Sequence, residues 1–166
     1  LDQVAAMGKE TFFAWAAGFF DGEGCVLIEL SKEKACKHGY RTSLHATVTQ
    51  TSIPCLELFM DEFGGSIVSS QNKTPNGRRW SVQYRWSVRN ENAIAFLKTI
   101  YPYVVVKKEQ IEVALKYQTH SQDGKKFGSK RNPIPDEVMK SRLELRLLLQ
   151  RIRSSMKTEA GAANHG

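Results

Sequence analysis

The chain has 166 residues, 41% of them hydrophobic and 25% charged, with 24 Lys and Arg against 17 Asp and Glu and a formal net charge of +7. That mix predicts one globular domain over residues 1–155 and a flexible tail over 156–166. It argues against a membrane span, since no apolar run approaches about 18 residues, and against a secretory leader, so an intracellular protein of cytoplasm or organelle is expected.

In chain order, "TFFAWAAGFF" (11–20) is apolar nearly all round, which for a short helix means burial on more than one side. Ala14 and Gly18 stand four apart on one face with Ala17 beside them, small enough to let a second backbone approach. Gly22 and Gly24 are expected to end this helix and turn the chain. "CVLIELS" follows as a strand with Val26, Ile28 and Leu30 on one side and Cys25, Leu27, Glu29 and Ser31 on the other. "RTSLHATVTQ" sets Leu44, Ala46 and Val48 opposite Arg41, Ser43, His45, Thr47 and Thr49. Ser52 can cap a helix through Leu56, Phe59, Met60 and Phe63, ended by Gly64 and Gly65. "GSIVSSQNK" is a fainter strand, "TPNGRR" a hairpin turn, and "RRWSVQYRWSV" a strand alternating Trp80, Val82, Tyr84, Trp86 and Val88 with Arg79, Ser81, Gln83, Arg85 and Ser87. Three helices complete the chain: one capped by Asn90 and ending near Pro102, one over about 107–117, and one over about 136–153. The order is an α+β pattern, with an antiparallel sheet covered by helices on one face and open on the other.

Cys25, Cys36 and Cys55 form no CxxC pair and the four histidines show no HxxxH spacing, so reduced thiols are expected rather than disulfides or a zinc site. The excess positive charge sits late, with 13 basic and 6 acidic side chains over residues 107–157. By itself that fits a polyanionic partner or a solvated lysine-rich surface equally well. The open sheet face carries hydroxyls, amides and arginines, side chains that can bond base edges as well as phosphates in a major groove. β-propensity alone would also place threonines there.

Asp21 and Glu23 stand where a helix gives way to a strand. A helix C-terminus carries negative partial charge, so two carboxylates there cost a few tenths to about 1 kcal/mol. A hard divalent cation would reverse that sign, because carboxylate and carbonyl oxygens are what magnesium or calcium accepts. An EF-hand is set aside, since Cys25 stands at its fifth ligand position and Val26 replaces its glycine. A plain DG turn is the simplest competitor.

"AAGFFDGEG" (16–24) resembles the LAGLIDADG motif of homing endonucleases, with Ala17, Gly18, Asp21, Gly22, Glu23 and Gly24 at its recurrent positions and Ala16 in place of the first leucine. The order of helices and strands that follows resembles the αββαββα fold of that family, a saddle-shaped antiparallel sheet with extra C-terminal helices. The resemblance implies the single-motif branch, since no second DGxG follows residue 24. It therefore implies a homodimer that hydrolyses double-stranded DNA at a long pseudo-palindromic target. By the same resemblance Glu23 is the catalytic metal ligand assisted by the Gly22 carbonyl, and Asp21 holds the turn. Ala14, Ala17, Gly18 and Asp21 lie at the dimer interface. "VTQ" (48–50) nominates Gln50 to orient water, and "YPYVVVKK" (101–108) nominates Lys107 beside the scissile phosphate. An arginine that some relatives carry four residues after the glutamine is replaced by Pro54, leaving that role absent or filled elsewhere, as by Arg85. The implied cofactor is Mg2+, with Ca2+ or Mn2+ able to substitute for binding or activity. The implied DNA contacts are Glu29, Ser31, Arg41, Ser43, His45, Thr47, Ser69, Gln71, Arg79, Ser81, Gln83 and Arg85 on the sheet, with Lys125, Lys126, Lys130 and Arg131 on a basic loop. The alternatives are an RNA-binding maturase on the same fold and a DNA-binding regulator without cleavage.

Overall fold

The computed structural model describes residues 8–70, 81–128 and 131–163, with side chains through residue 156 in the last helix. The elements are α1 (Lys9–Glu23), β1 (Gly24–Lys32), β2 (Tyr40–Gln50), α2 (Ile53–Phe63), β3 (Ser66–Ser70), β4 (Gln83–Arg89), α3 (Asn90–Ile100), a 3-10 turn (Tyr101–Tyr103), α4 (Lys108–Ala114) and α5 (Asp136–Ala163). This is the expected α+β order. The strands form one antiparallel sheet in the order β1-β2-β4-β3. Expected Gln71 and Arg79, with the "TPNGRR" turn, lie outside the described residues, as does Lys130.

The chain groups into two compact units, one of residues 1–25 and 45–108, the other of 26–44 and 109–166. In the first, apolar periodicity becomes an aromatic core. Trp86 of β4 meets Phe59 of α2 and Phe96 of α3, each at 5.0 Å between ring centroids. Phe20 of α1 meets Phe96 edge-on at 5.2 Å. Phe20, Phe59 and Trp86 are fully buried, and such offset and edge contacts add about 0.5–1.5 kcal/mol per pair to the area they bury. The buried indole Nε1 donates to the Gly64 carbonyl at 2.8 Å, so the polar end of the ring is satisfied. Gly65 then passes β4 so closely that a Cβ would lie 2.5 Å from the Ser87 carbonyl oxygen, and its φ of 94° suits only glycine.

The second unit centres on Thr42, Tyr117 and Arg142. Tyr117 Oη donates to the Thr42 carbonyl at 2.9 Å. The buried Arg142 guanidinium donates to the Gln118 carbonyl at 3.0 Å through Nε and to Thr42 Oγ1 at 3.3 Å through Nη1. Its carbon lies 4.4 Å from the Tyr117 ring centroid, so hydrogen bonds and a π face together replace the water that a buried cation loses.

Several local expectations are corrected. Gly22 does not break the helix, because "DGE" is the last turn of α1 and β1 begins at once with Gly24. Asn90 is the first residue of α3 rather than its cap, with Arg89 before it and a φ of 49° that asparagine tolerates better than most side chains. The last helix continues past 153 to Ala163, and α4 is shorter than the 107–117 expected. All three cysteines are free thiols. Among the described residues no helix is long and apolar enough to cross a membrane.

Candidate functional site

The site is built on the final turn of α1. Ala16, Ala17 and Phe20 are fully buried and anchor the helix. Ala14, Gly18 and Gly22, spaced by four, are exposed along the opposite side. A Cβ added to Gly18 or Gly22 would meet nothing within 4 Å. Ala17, expected among the outward small residues, thus belongs to the inward face. Gly24 is small for a different reason, since its Cβ would lie 2.3 Å from Phe20 Cδ2 and 2.5 Å from the Phe20 carbonyl oxygen.

The two acids of that turn have separate environments. Asp21 accepts three consecutive main-chain N–H groups, from Val105 at 2.7 Å, Val106 at 3.1 Å and Lys107 at 2.9 Å. Lys107 Nζ turns back to donate to the Asp21 carbonyl oxygen. Asp21 therefore holds a distant segment rather than its own turn. Glu23 is exposed. Lys107 is half-buried, and burial lowers its pKa from the ordinary lysine value, against the nearby Asp21 and Glu23 carboxylates, which raise it. Those opposing charges place one cation and two carboxylates of α1 within electrostatic reach of one another.

Gln50, at the end of β2, is half-buried and pairs across the sheet with Tyr84. It makes no hydrogen bond to Glu23 or Lys107. The structure thus brings Asp21, Glu23 and Lys107 together and leaves Gln50 unconnected to them by direct bonds. An exposed carboxylate beside a helix-terminal carbonyl at Gly22 is a hard-oxygen donor pair of the kind Mg2+ or Ca2+ accepts. Among the described residues, no three His, Cys, Asp or Glu side chains are grouped to hold a metal by themselves.

The sheet's polar face is narrower than alternation suggested. Thr49 pairs with Arg85 and Thr47 with Ser87 across β2 and β4, while Val68 pairs with Arg85 and Ser66 with Ser87 across β4 and β3. Directly opposed residues share a face, so Thr49, Arg85 and Val68 form one row. Ser69 is opposite Tyr84, on the face of Ile67 and Trp86. It is replaced on the polar face by Val68 and by Ser70, opposite Gln83. Gln83, Arg85 and Ser81 are exposed as expected. His45 and Thr47 are only 6% and 8% exposed, so these two positions of β2 offer little surface. In the other unit Glu29 and Arg41 are exposed and Ser31 and Ser43 half-buried. Lys125, Lys126 and Arg131 are exposed, with Lys125 Nζ 2.6 Å from Asp123 Oδ2.

A family model described as LAGLIDADG endonuclease matches residues 16–123, well over half of the chain. The chain belongs to the LAGLIDADG endonuclease family. No protein of curated function matches the sequence. Among solved structures, the homing endonuclease I-CvuI, in complex with the I-CreI target, is 19% identical with a TM-score of 0.62, over 86% of this chain and 82% of that one. The archaeal intron-encoded homing endonuclease I-Vdi141I, complexed with DNA, is 20% identical with a TM-score of 0.63, over 87% of this chain and 86% of that one. The homing endonuclease I-TnaI is 18% identical with a TM-score of 0.55, over 88% and 96%. These likenesses establish a LAGLIDADG fold, and the match begins at the very helix that carries the acidic turn.

Proposed function

We propose that this LAGLIDADG chain is a divalent-metal-dependent homing endonuclease that cuts both strands of a long pseudo-palindromic DNA site as a homodimer, the whole chain forming one half-site module. The observation that carries the reading is the exposed Glu23 carboxylate on the same helix turn that receives the Lys107 ammonium. Glu23 and the Gly22 carbonyl would hold Mg2+, with Ca2+ or Mn2+ as substitutes. When bound, such an ion supplies an activated water and neutralises charge on the phosphate. Lys107 adds a second positive charge for the pentacovalent phosphate, and Gln50 positions water through its amide. The outward small residues Ala14, Gly18 and Gly22 let a second copy's α1 pack close by. The glycines at 18 and 22 are otherwise unexplained, since a Cβ there would enter open space. Thr49, Arg85, Gln83, Val68 and Ser70 read base edges, with Arg85 suited to guanine and Val68 to a thymine methyl. Arg41, Lys125, Lys126 and Arg131 hold phosphates, which makes binding strongly salt-dependent.

The test uses a plasmid library of randomised duplex sites, read for discrete double-strand ends. Wild type with Mg2+ is expected to cut a discrete subset. Glu23→Gln should lower cleavage of the selected site by at least about 10³-fold, roughly 4 kcal/mol of transition-state stabilisation. Binding of that site in Ca2+ should change little. Normal cleavage by the variant removes Glu23 from the metal site. Wild type that cuts nothing but protects a structured intron RNA supports the maturase instead.

A further inference from the structure

We propose that Asp21 is a positioning residue for Lys107, fixing the ammonium relative to the Glu23 carboxylate from within one helix turn. The inference rests on the endonuclease reading and adds to it a residue that neither binds metal nor touches the reacting atoms.

Residues 105 and 106, between the buried Val104 and the start of α4 at Lys108, bury little of their own. Val105 and Val106 are 80% and 56% exposed, so neither contributes appreciable apolar burial. The preceding Val104 is 3% exposed and anchors the segment before the valines, as α4 does after Lys107. Between these anchors, the main chain of 105–107 is held by the Asp21 carboxylate, with Oδ2 accepting from Val105 and Val106 and Oδ1 from Lys107. Hydrogen bonds to an ionised acceptor are about twice as strong as neutral ones. Three on one carboxylate fix both its oxygens and the peptide planes they meet. The side chain is then folded back, with Nζ on the Asp21 carbonyl oxygen. One residue thus grips both the main chain and the head group of Lys107. Glu23 follows two residues later in the same helix. The separation of carboxylate and ammonium is therefore set by the rigid last turn of α1, not by the long stretch of chain between them. This also accounts for an acid at a helix C-terminus, where the dipole opposes it.

Asp21→Asn is the sharp variant. Its amide oxygen can still accept from one side, but its NH2 would face a main-chain N–H, donor against donor. On the site selected from the randomised library, the single-turnover cleavage rate with Mg2+ should fall about 100-fold, as expected for misplacing a reacting group by around 1 Å. Binding in Ca2+ should stay within about threefold, a small change on the affinity scale. In a Lys107→Ala background the same substitution should lower the rate by less than about threefold, because both changes remove one interaction. A full 100-fold loss in that background would show Asp21 acting elsewhere and overturn the proposal, as would an Asp21→Asn enzyme that cuts at the wild-type rate. Amide exchange on the free wild-type protein is an independent reading. The Val105, Val106 and Lys107 amides should be protected despite their surface position, and unprotected exchange at all three overturns the clamp even if the variant does not fold. A wild type that cleaves no member of the library counts against the endonuclease reading alone, because the exchange measurement still decides whether Asp21 holds the segment.

Discussion

Gly24 and Gly18 lie at and near the end of the same helix, and their surroundings are opposite. At Gly24 the Phe20 ring and carbonyl crowd the position where a side chain would begin, while at Gly18 that position opens onto nothing within 4 Å. The φ of Gly24 is −82°, a value any residue adopts, so only space keeps it small. The inward side of α1 is thus accounted for by the chain that contains it. The outward side has no such account within the chain, and on the proposed reading a second copy meets it. Asp21 and Glu23 divide in the same manner, one consumed by three N–H groups of its own chain and the other exposed.

The division can be tested from both sides. Gly18→Leu should leave each folded chain intact yet weaken self-association by about 30-fold or more, the factor that 2 kcal/mol represents at the centre of an interface. Sedimentation over a concentration series measures it, and an unchanged dimer would remove Gly18 from the contact. Gly24→Ala should act within the chain, costing about 1–3 kcal/mol through overpacking against a backbone oxygen that cannot swing away. Denaturant unfolding reads that loss, and wild-type stability would mean the α1 exit relaxes freely. The smallest effect concerns Lys107. Burial disfavours its charge, so its ammonium should deprotonate at lower pH than exposed lysines, and Glu23→Gln should lower it further by removing one of the opposing charges. Across that alkaline interval the unfolded chain binds more protons at this site, so its contribution to stability rises with pH. Carbon shifts at the lysine Cε followed by NMR give the midpoint, and a value at or above that of exposed lysines contradicts the burial argument.

Much of this was legible in sequence because it is local. Apolar periodicity placed α1, β1, β2 and α2, and the spacing in "AAGFFDGEG" located the acidic turn. What escaped were relations between distant segments. That Asp21 would accept N–H groups from residues 105–107 has no local signature, because a carboxylate's partner is chosen by the folded chain. The polar face of β2 is readable as alternation, yet His45 and Thr47 on it are buried, and what covers a residue in the folded chain has no local signature. Ser69 was misplaced because five residues of β3 fix no register alone. Pairing with β4 puts Val68 and Ser70 where Ser69 was expected.

Strand β4 has a consequence for how such a protein could change its target. Trp86 and Val88 are buried at 0% and 2% exposure, whereas Gln83 and Arg85, alternating with them on the same strand, are exposed. Substitutions at exposed sites away from special features usually shift stability by no more than about 0.5 kcal/mol. A lineage could therefore drift through many combinations at Gln83, Arg85, Val68 and Ser70 while the aromatic core and the acidic turn stay as they are. On the proposed reading, each viable combination would specify a different site, so new genomic addresses would be reachable in single steps without an intermediate that fails to fold.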